Sequence, residues 1–503
     1  MSMRESLARV WRKLKTTKKG EVLLTVRSSS FDNGAPSSQQ KQPTAKKSNT
    51  VPNKRTKRDY TAEFDNLIDL VLQNDKPVFL VKNAGKLEIW DHVKIGGKTF
   101  YPPEPAAIPF SLPDAGEVIE KYQSDSQIPT ETADLATFDA LIQYHKEISE
   151  LPTEQHYLLL AAWDIHTYFQ DQFQYFPIIC LFAVPERGKS RTGKAMINVA
   201  YRGLHVESLR EAYILRVTEY YQVSLFIDVM NPWKKAEKMG VEDILLQRFE
   251  RGTTVPRVLF PERGAFKDTV YFHVSGPLIL GTNMSLHQIL ETRSIQVNMP
   301  QSIRAFENEV TPELAMSLKV QLLALRARHL DRSLPNMNKP AKGRLGDICK
   351  PLAQVVRQFA PCHESEFLEF IHLLETRRLT DKSETLDAQI IRTICSLEHI
   401  VEKGIVPTKT ITDVLNKDKS ERYEISYQRV GRKLTALGFE KVKTGTGASA
   451  IVWDMELLKR IKDAYGLEET SDTSETLIES TPKDLLSGVS DVSDVSELFD
   501  TPL

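Results

Sequence analysis

Between Phe176 and Asn283 the chain carries short, dense apolar runs, "FPIICLF", "VSLFID", "TVYFHV" and "PLILGTN", set apart by polar or helix-periodic stretches. Runs of this kind, apolar on both faces, are expected as strands of a covered, mainly parallel sheet. Strands alternating with helices predict an α/β core over 175–305. Upstream the pattern differs. "TAEFDNLIDLVLQN" spaces its apolar residues like a helix, and "PVFLVKNAGKLEIWDHVKIGGKTFYPP" alternates in three short strands broken by Asn-Ala-Gly and Gly-Gly. Residues 59–110 are therefore expected as a small helix plus β-meander module. Helical periodicity covers 111–174, around 113–123 and 135–173, and returns over 306–400 as an expected helical lid. Residues 401–466 read as helix, helix and β-hairpin.

Composition narrows the class. The chain has 503 residues, 41% hydrophobic and 26% charged, as soluble globular proteins do. That length suggests about two to four domains. The longest apolar run, Phe176–Val184, is far short of the roughly 20 residues a membrane span needs. The amino terminus has no apolar signal core, and Cys180, Cys349, Cys362 and Cys395 are dispersed without a C-x-x-C pair. A reducing cytoplasm is expected, with no disulfide framework, zinc site or membrane contact.

A net charge of −1 hides opposed ends. Residues 1–58 hold 15 Lys/Arg against 3 Asp/Glu, and 468–503 hold 1 basic against 10 acidic residues. The arm and the tail (467–503) both read as solvated, disordered segments. The functional alternative is a basic arm on nucleic acid phosphates, kept off other surfaces by the acidic tail. Within the arm, Leu7, Val10, Trp11 and Leu14 share one face of a short basic helical stretch. The final "SELFDTPL" is a candidate docking peptide for a partner protein, a replication protein if the resemblance given below holds.

The chemistry gathers at "AVPERGKS", Ala183–Ser190. It matches a phosphate-binding loop, G-x-x-x-x-G-K-[ST], except that Ala183 stands at the first glycine. An overlapping register, Gly188 to Lys194, also fits G-x-x-x-x-G-K but lacks the hydroxyl and would put "PER" in the strand. The first register follows the strand and opens the helix "RTGKAMINVAY". Pro185, Glu186, Arg187, Gly188, Lys189, Ser190 and Arg191 are thus the candidate nucleotide contacts. Backbone N–H groups and the lysine would meet the phosphates, and Ser190 would ligate Mg²⁺. Asp228 ends "VSLFID" 39 residues after Lys189 and is a candidate Mg²⁺ partner, the plain alternative being a cap on the next helix. Asn283, ending "PLILGTN", could orient water. Arg293 in "ETRSI" could meet a γ-phosphate across a subunit boundary. Arg344 in "GRLGDICKPL" opens a further helix.

The span from "LFIDVMNPW" through "RFERGTTVPRV" to "ETRSI" resembles the ATPase core of helicase-like proteins of phages and bacterial mobile elements, within the broad AAA+ class of P-loop ATPases. The resemblance covers roughly 150–360. It implies Walker A at Lys189 and Ser190, Walker B at Asp228, sensor 1 at Asn283, an arginine finger at Arg293 and a second sensor at Arg344. It also implies ATP and Mg²⁺ as cofactors and a ring oligomer moving on DNA. Val229 departs from the pattern, since active members usually carry Glu there as general base. Glu242 and Glu250 are the nearby acids in sequence. The rival to an ATP-driven helicase or helicase loader is a nucleotide-gated scaffold or regulator that hydrolyses little.

The last unit, "VPTKTITDVLN…ISYQRVGRKLTALGFEKVKTGTGASAIVWD", resembles a winged helix. Val430, Leu434 and Leu437 would be buried. Gln428, Arg429, Arg432 and Lys433, with Lys441 and Lys443 in the wing, are the candidate DNA contacts. The same fold also serves protein contacts. The fold class expected for the whole is α/β: a P-loop ATPase core with a mainly parallel sheet, a helical lid, a small N-terminal α+β module and a C-terminal winged helix.

Overall fold

The computed structural model describes residues 58–184 and 186–467. The apolar face in the basic arm, Pro185 and the acidic tail lie outside them. The chain divides after Leu373 into two compact units.

The first unit opens with β1 (Asp59–Tyr60), β2 (Leu67–Gln73), β3 (Lys76–Asn83), β4 (Lys86–Trp90), β5 (Val93–Ile95) and β6 (Lys98–Tyr101). The helix expected at 61–74 is instead strand β2, paired antiparallel with β3. Its short run of Leu, Ile and Val is buried on both faces, so apolar spacing alone could not separate helix from strand. The deciding signal is local. Asn74 and Asp75 both adopt left-handed backbone (φ 49° and 59°), which closes a two-residue hairpin between Gln73 and Lys76. Nor does this region keep a core of its own. Leu67, Leu70, Phe79 and Val81 share one hydrophobic cluster with Leu204, Val206, Leu225 and Leu278 of the main sheet. Buried Arg202 ties the two together, donating to Asp69 Oδ1 (2.7 Å), Ala62 O (2.9 Å) and Tyr221 O (2.8 Å).

Helices α1 (Ala115–Asp125), α2 (Thr130–Ile148) and α3 (Glu154–Tyr168) follow. The long helix expected over 135–173 is broken around Pro152, since proline disfavours helical geometry at the residue before it. The main sheet then forms from β7 (Ile178–Phe182), β8 (Gly203–Val206), β9 (Ser224–Asp228), β12 (Leu278–Thr282) and β13 (Ser294–Asn298), every pairing parallel, in the order β13-β7-β12-β9-β8. Its connections carry α4 (Lys189–Val199), α5 (Glu211–Tyr221), α6 (Pro232–Met239), α7 (Glu242–Gln247) and α8 (Gln288–Glu291). "TVYFHV", expected in this sheet, lies outside it. Its strand β11 (Thr269–His273) pairs antiparallel with β10 (Thr254–Val258) in a separate hairpin. The fifth parallel strand is β8, whose "GLHV" is too short and mixed to stand out as an apolar run.

Beyond the sheet, α9 (Met316–His329) packs against α1, α2, α3 and β2, and α10 (Gly343–Phe359) against α3. These two helices are built into the body of the unit. Among the described residues no helix is long and apolar enough to cross a membrane.

A helix α11 (Glu364–Ser383) leads into the second unit, which holds α12 (Leu386–Ser396), β14 (Ile405–Pro407), α13 (Thr408–Asn416), α14 (Tyr427–Ala436), β15 (Lys441–Lys443), β16 (Ser449–Val452) and α15 (Met455–Ala464). Its sheet is antiparallel, ordered β14-β16-β15. Ala388, Ile390, Ile391 and Ile394 of α12 join Val406, Ile411, Val430, Leu434 and Ile451 in one core. This unit therefore begins upstream of the expected boundary at 401.

Candidate functional site

The site lies at the carboxyl ends of β7, β12 and β9, where the chain leaves each strand for a loop. Ala183 is buried and donates to Thr282 O (3.2 Å), continuing the β7–β12 pairing one step past the strand. Its backbone is not left-handed, so the position does not demand glycine. Gly188 is different. It takes φ 72° as the N-cap of α4 and leaves that helix with no side-chain cap, so the first N–H groups remain for a ligand. Ser190 stands in the first turn, exposed.

Lys189 is drawn inward. Its Nζ donates to Asn283 Oδ1 at 2.8 Å and pairs with Asp228 Oδ1 at 3.1 Å. Three residues far apart in sequence thus meet at the tips of adjacent strands because β12 lies between β7 and β9. The approach needs Gly281, which sequence reading passed over. A Cβ there would sit 2.8 Å from Asp228 Oδ1 and 3.4 Å from Lys189 Cδ. The helix after Asp228 is capped by Asn231, whose Oδ1 accepts from Lys234 N at 2.9 Å, so Asp228 is not consumed as a cap. Thr282 Oγ1 bonds Met230 O (2.9 Å), tying the loop after Asp228 to the strand that carries Asn283.

The competing register is explained by packing. Gly193 lies inside α4, buried, and a Cβ there would fall 2.2 Å from Phe226 Cζ of β9. It is a glycine of close helix–sheet contact. Arg191, expected at the nucleotide, is used elsewhere: Nε donates to Ile148 O (2.7 Å), Nη2 donates to Asn308 O, and the guanidinium lies 5.6 Å from the Phe306 ring centroid. Glu186 is exposed with φ 69°, and Arg187 holds its Nε buried without a partner.

Arg293 and Arg344 are not at this end. Arg293 immediately precedes β13, and its carbonyl accepts from Ile178 N (3.4 Å) at the amino end of the sheet. Arg344 lies in the first turn of α10 and donates through Nη1 to Thr292 Oγ1 (3.2 Å). Glu250 belongs to the same end, bridged to Tyr175 just before β7. The five residues of β7 place about 17 Å between the two ends. A second sensor at Arg344 acting on its own chain's loop is therefore ruled out by the strand direction. Also at the amino end, Arg248 is fully buried. It donates to Val274 O (2.9 Å), Val223 O (2.8 Å) and Pro277 O (2.6 Å), and burial without a carboxylate partner lowers its pKa to about 9.

Two further surfaces bear on function. The β10–β11 hairpin, absent from the sequence reading, carries exposed Phe266, Leu259 and Lys267 at its tip and the Arg263 guanidinium 3.6 Å from the Phe260 ring centroid. Its body is held by Arg257, paired with Glu211 and with Asp243. On the second unit, Gln428, Arg429, Arg432, Lys441 and Lys443 are all exposed. Lys433 is not part of that face, because its Nζ pairs with Asp387 Oδ1 of α12 at 3.0 Å.

No protein-family model and no curated protein matches the chain. Among solved structures, the apo C-terminal region of NrS-1 is 10% identical, covering 77% of this chain and 96% of that one at a TM-score of 0.32. SCCmec type IV Cch, described as an active helicase, is 10% identical over 77% of this chain and 80% of its own, at 0.34. The ORC2 protein of Aeropyrum pernix, solved as ADPNP and ADP complexes, covers 64% of this chain and 96% of its own at 11% identity and 0.20.

Proposed function

We propose that the chain is an ATP-dependent, DNA-associated P-loop ATPase, a helicase or helicase loader that works as an oligomer. The observation that carries this is the meeting of Lys189, Asp228 and Asn283 at the head of an uncapped helix. A lysine paired with a carboxylate and an amide at that place is poised for exchange. Arriving β- and γ-phosphates take the ammonium, and Asp228 is released. A hydroxyl on the first helical turn and a carboxylate at a neighbouring strand tip suit a hard divalent cation, so Ser190 and Asp228 would hold Mg²⁺. That ion, when bound, neutralises phosphate oxygens. Asn283, freed from the lysine, orients the attacking water, and Arg293 acts on the nucleotide of a neighbouring copy.

DNA contact falls to the second unit, read as a winged helix. Its α14 and β15 present Arg429, Arg432, Lys441 and Lys443, and the apolar and cationic hairpin tip adds a second contact suited to unstacked bases. Nucleotide binding and DNA-stimulated phosphate release, measured on wild type and Lys189→Ala, test the motor. Wild type that binds ATP yet releases no phosphate with DNA present would sink it. Arg429→Glu with Arg432→Glu should weaken DNA binding and flatten its salt dependence, whereas Lys433→Ala should leave the salt slope unchanged. Equal affinity for all three chains would remove α14 from the DNA surface.

A further inference from the structure

Hydrolysis needs an acceptor for the proton that water loses, and the residues gathered at Lys189 supply none. Asp228 is committed to the lysine, or to Mg²⁺ once nucleotide arrives, and the amide of Asn283 orients water without taking its proton. Val229, next along the chain, is buried and donates its N–H to Gly281 O at 3.2 Å. Glu211 and Asp243 both pair with Arg257 of the hairpin, and Glu250 stands at the other end of the sheet.

The neighbouring strand does offer an acid. β8 is the edge strand beside β9, and the two run parallel with His205 opposite Phe226 and Val206 opposite Ile227. Glu207 comes next, at the level of Asp228 and about 4.8 Å away by the spacing of strands. The faces agree as well. Phe226 points at α4, because Gly193 of that helix lies against its ring, and His205 stacks on Phe226 with centroids 4.8 Å apart. Two residues further on, each strand returns to that same face, where Lys189 meets Asp228. Burial lowers the His205 pKa while the Glu207 and Asp228 carboxylates both oppose the shift, so each lies close to the one ring. The Glu207 side chain is exposed, and among the described residues no hydrogen bond or ion pair holds its carboxylate. Its backbone is fixed instead. Glu207 O accepts from Lys235 Nζ at 3.3 Å, which ties the tip of β8 to the helix that follows Asp228.

We infer that Glu207 is the general base of the hydrolysis, reaching from the tip of β8 to the water that Asn283 orients. The inference rests on the ATPase reading and moves the acid that Val229 lacks onto the adjacent strand. Glu207 takes one proton from the water as the water oxygen bonds to the γ-phosphorus. The bond from that phosphorus to the β–γ bridging oxygen breaks, and its electron pair leaves with ADP. Hydrogen phosphate remains, and the proton passes from Glu207 to solvent.

Two measurements on the full chain test this. Glu207→Gln should lower DNA-stimulated phosphate release on the order of 10²–10³-fold with ATP affinity unchanged. Glu207→Asp, which keeps the charge but withdraws it by one methylene, should retain part of the rate. The second measurement needs no turnover. ADP with aluminium fluoride imitates the phosphoryl group in transfer with its water in place, and Glu207→Ala should bind that pair on the order of tenfold more weakly while binding ADP as wild type does. Thermal unfolding of all three variants should match wild type, since the side chain is exposed. Wild-type turnover from Glu207→Gln overturns the proposal and leaves the ATPase reading intact. Equal trapping by Glu207→Ala and wild type overturns it as well, and so does a loss of ADP affinity as large as the loss of trapping, which would make Glu207 a binding group. A slow Glu242→Gln beside a fast Glu207→Gln would move the base to α7. Wild type that binds ATP yet neither releases phosphate nor traps ADP with aluminium fluoride removes the ATPase reading and this assignment with it.

Discussion

The two ends of the parallel sheet solve opposite electrostatic problems. At the carboxyl end a cation, a carboxylate and an amide satisfy one another. At the amino end three arginines gather. Arg248 finds only carbonyls, while Arg293 and Arg344 share an aromatic floor, the Phe249 ring, with no ion pair among the described residues. The first end pairs its charges within the chain, and the second sets its cations against carbonyls and an aromatic ring. Strand direction alone imposes the division, since loops after parallel strands all open at one end and those before them at the other.

The amino end should break most severely when Arg248 is removed. Arg248→Met takes their guanidinium donor from the carbonyls of Val223 and Val274, while Pro277 O keeps Leu225 N (3.0 Å); at about 1–3 kcal/mol each, a total loss on the order of 2–5 kcal/mol is expected in urea unfolding. A loss under about 1 kcal/mol would show that these carbonyls find water instead.

At the carboxyl end, Gly193→Ala presses a methyl into Phe226 and should cost about 1–3 kcal/mol. Adding Phe226→Leu should recover part of that loss. If Gly193→Ala instead abolished nucleotide binding with stability unchanged, the overlapping register would be the working loop.

Acid should weaken the amino side first. His166, stacked on Phe173 and facing Tyr175 O, has its pKa lowered to about 3 by burial. The unfolded chain's histidine takes a proton below about 6.5, so its contribution is complete above that pH and is lost as pH falls towards 3. At pH 5 the loss is about 2 kcal/mol relative to pH 7. The slope of stability against pH over that interval should flatten in His166→Gln, and an unchanged slope would assign it to other groups.

The smallest effect sharpens the geometry of the site. Gly281→Ala should fold normally yet weaken nucleotide binding about tenfold, about 1.4 kcal/mol, because Asp228 must give way. Unchanged affinity in a titration would mean that Asp228 is not held against the strand when nucleotide is bound.

Several parts of this protein were legible in one dimension. The apolar runs ending at Phe182, Asp228 and Thr282 are strands, and their terminal residues meet, because a parallel sheet buried on both faces writes itself as dense hydrophobic segments. Gly188-Lys189-Ser190 was readable for the same reason: a strand, a turn and a helix start leave local marks. Other features have no local mark. β2 reads as a helix until its hairpin partner is present, and "TVYFHV" reads as a strand of the parallel sheet until it pairs in a hairpin instead. Gly193 imitates a motif that only Phe226 explains. Arg191, Lys433 and Arg344 each looked like ligand contacts, yet a long cation can serve a carbonyl, a carboxylate or an absent phosphate with equal chemical ease. Which of these it meets depends on the neighbours that folding brings. The sequence by itself determined the strand tips and the residue types they carry; the tertiary structure decided at which end of the sheet each charge would stand, because the order and direction of strands are set by long-range packing.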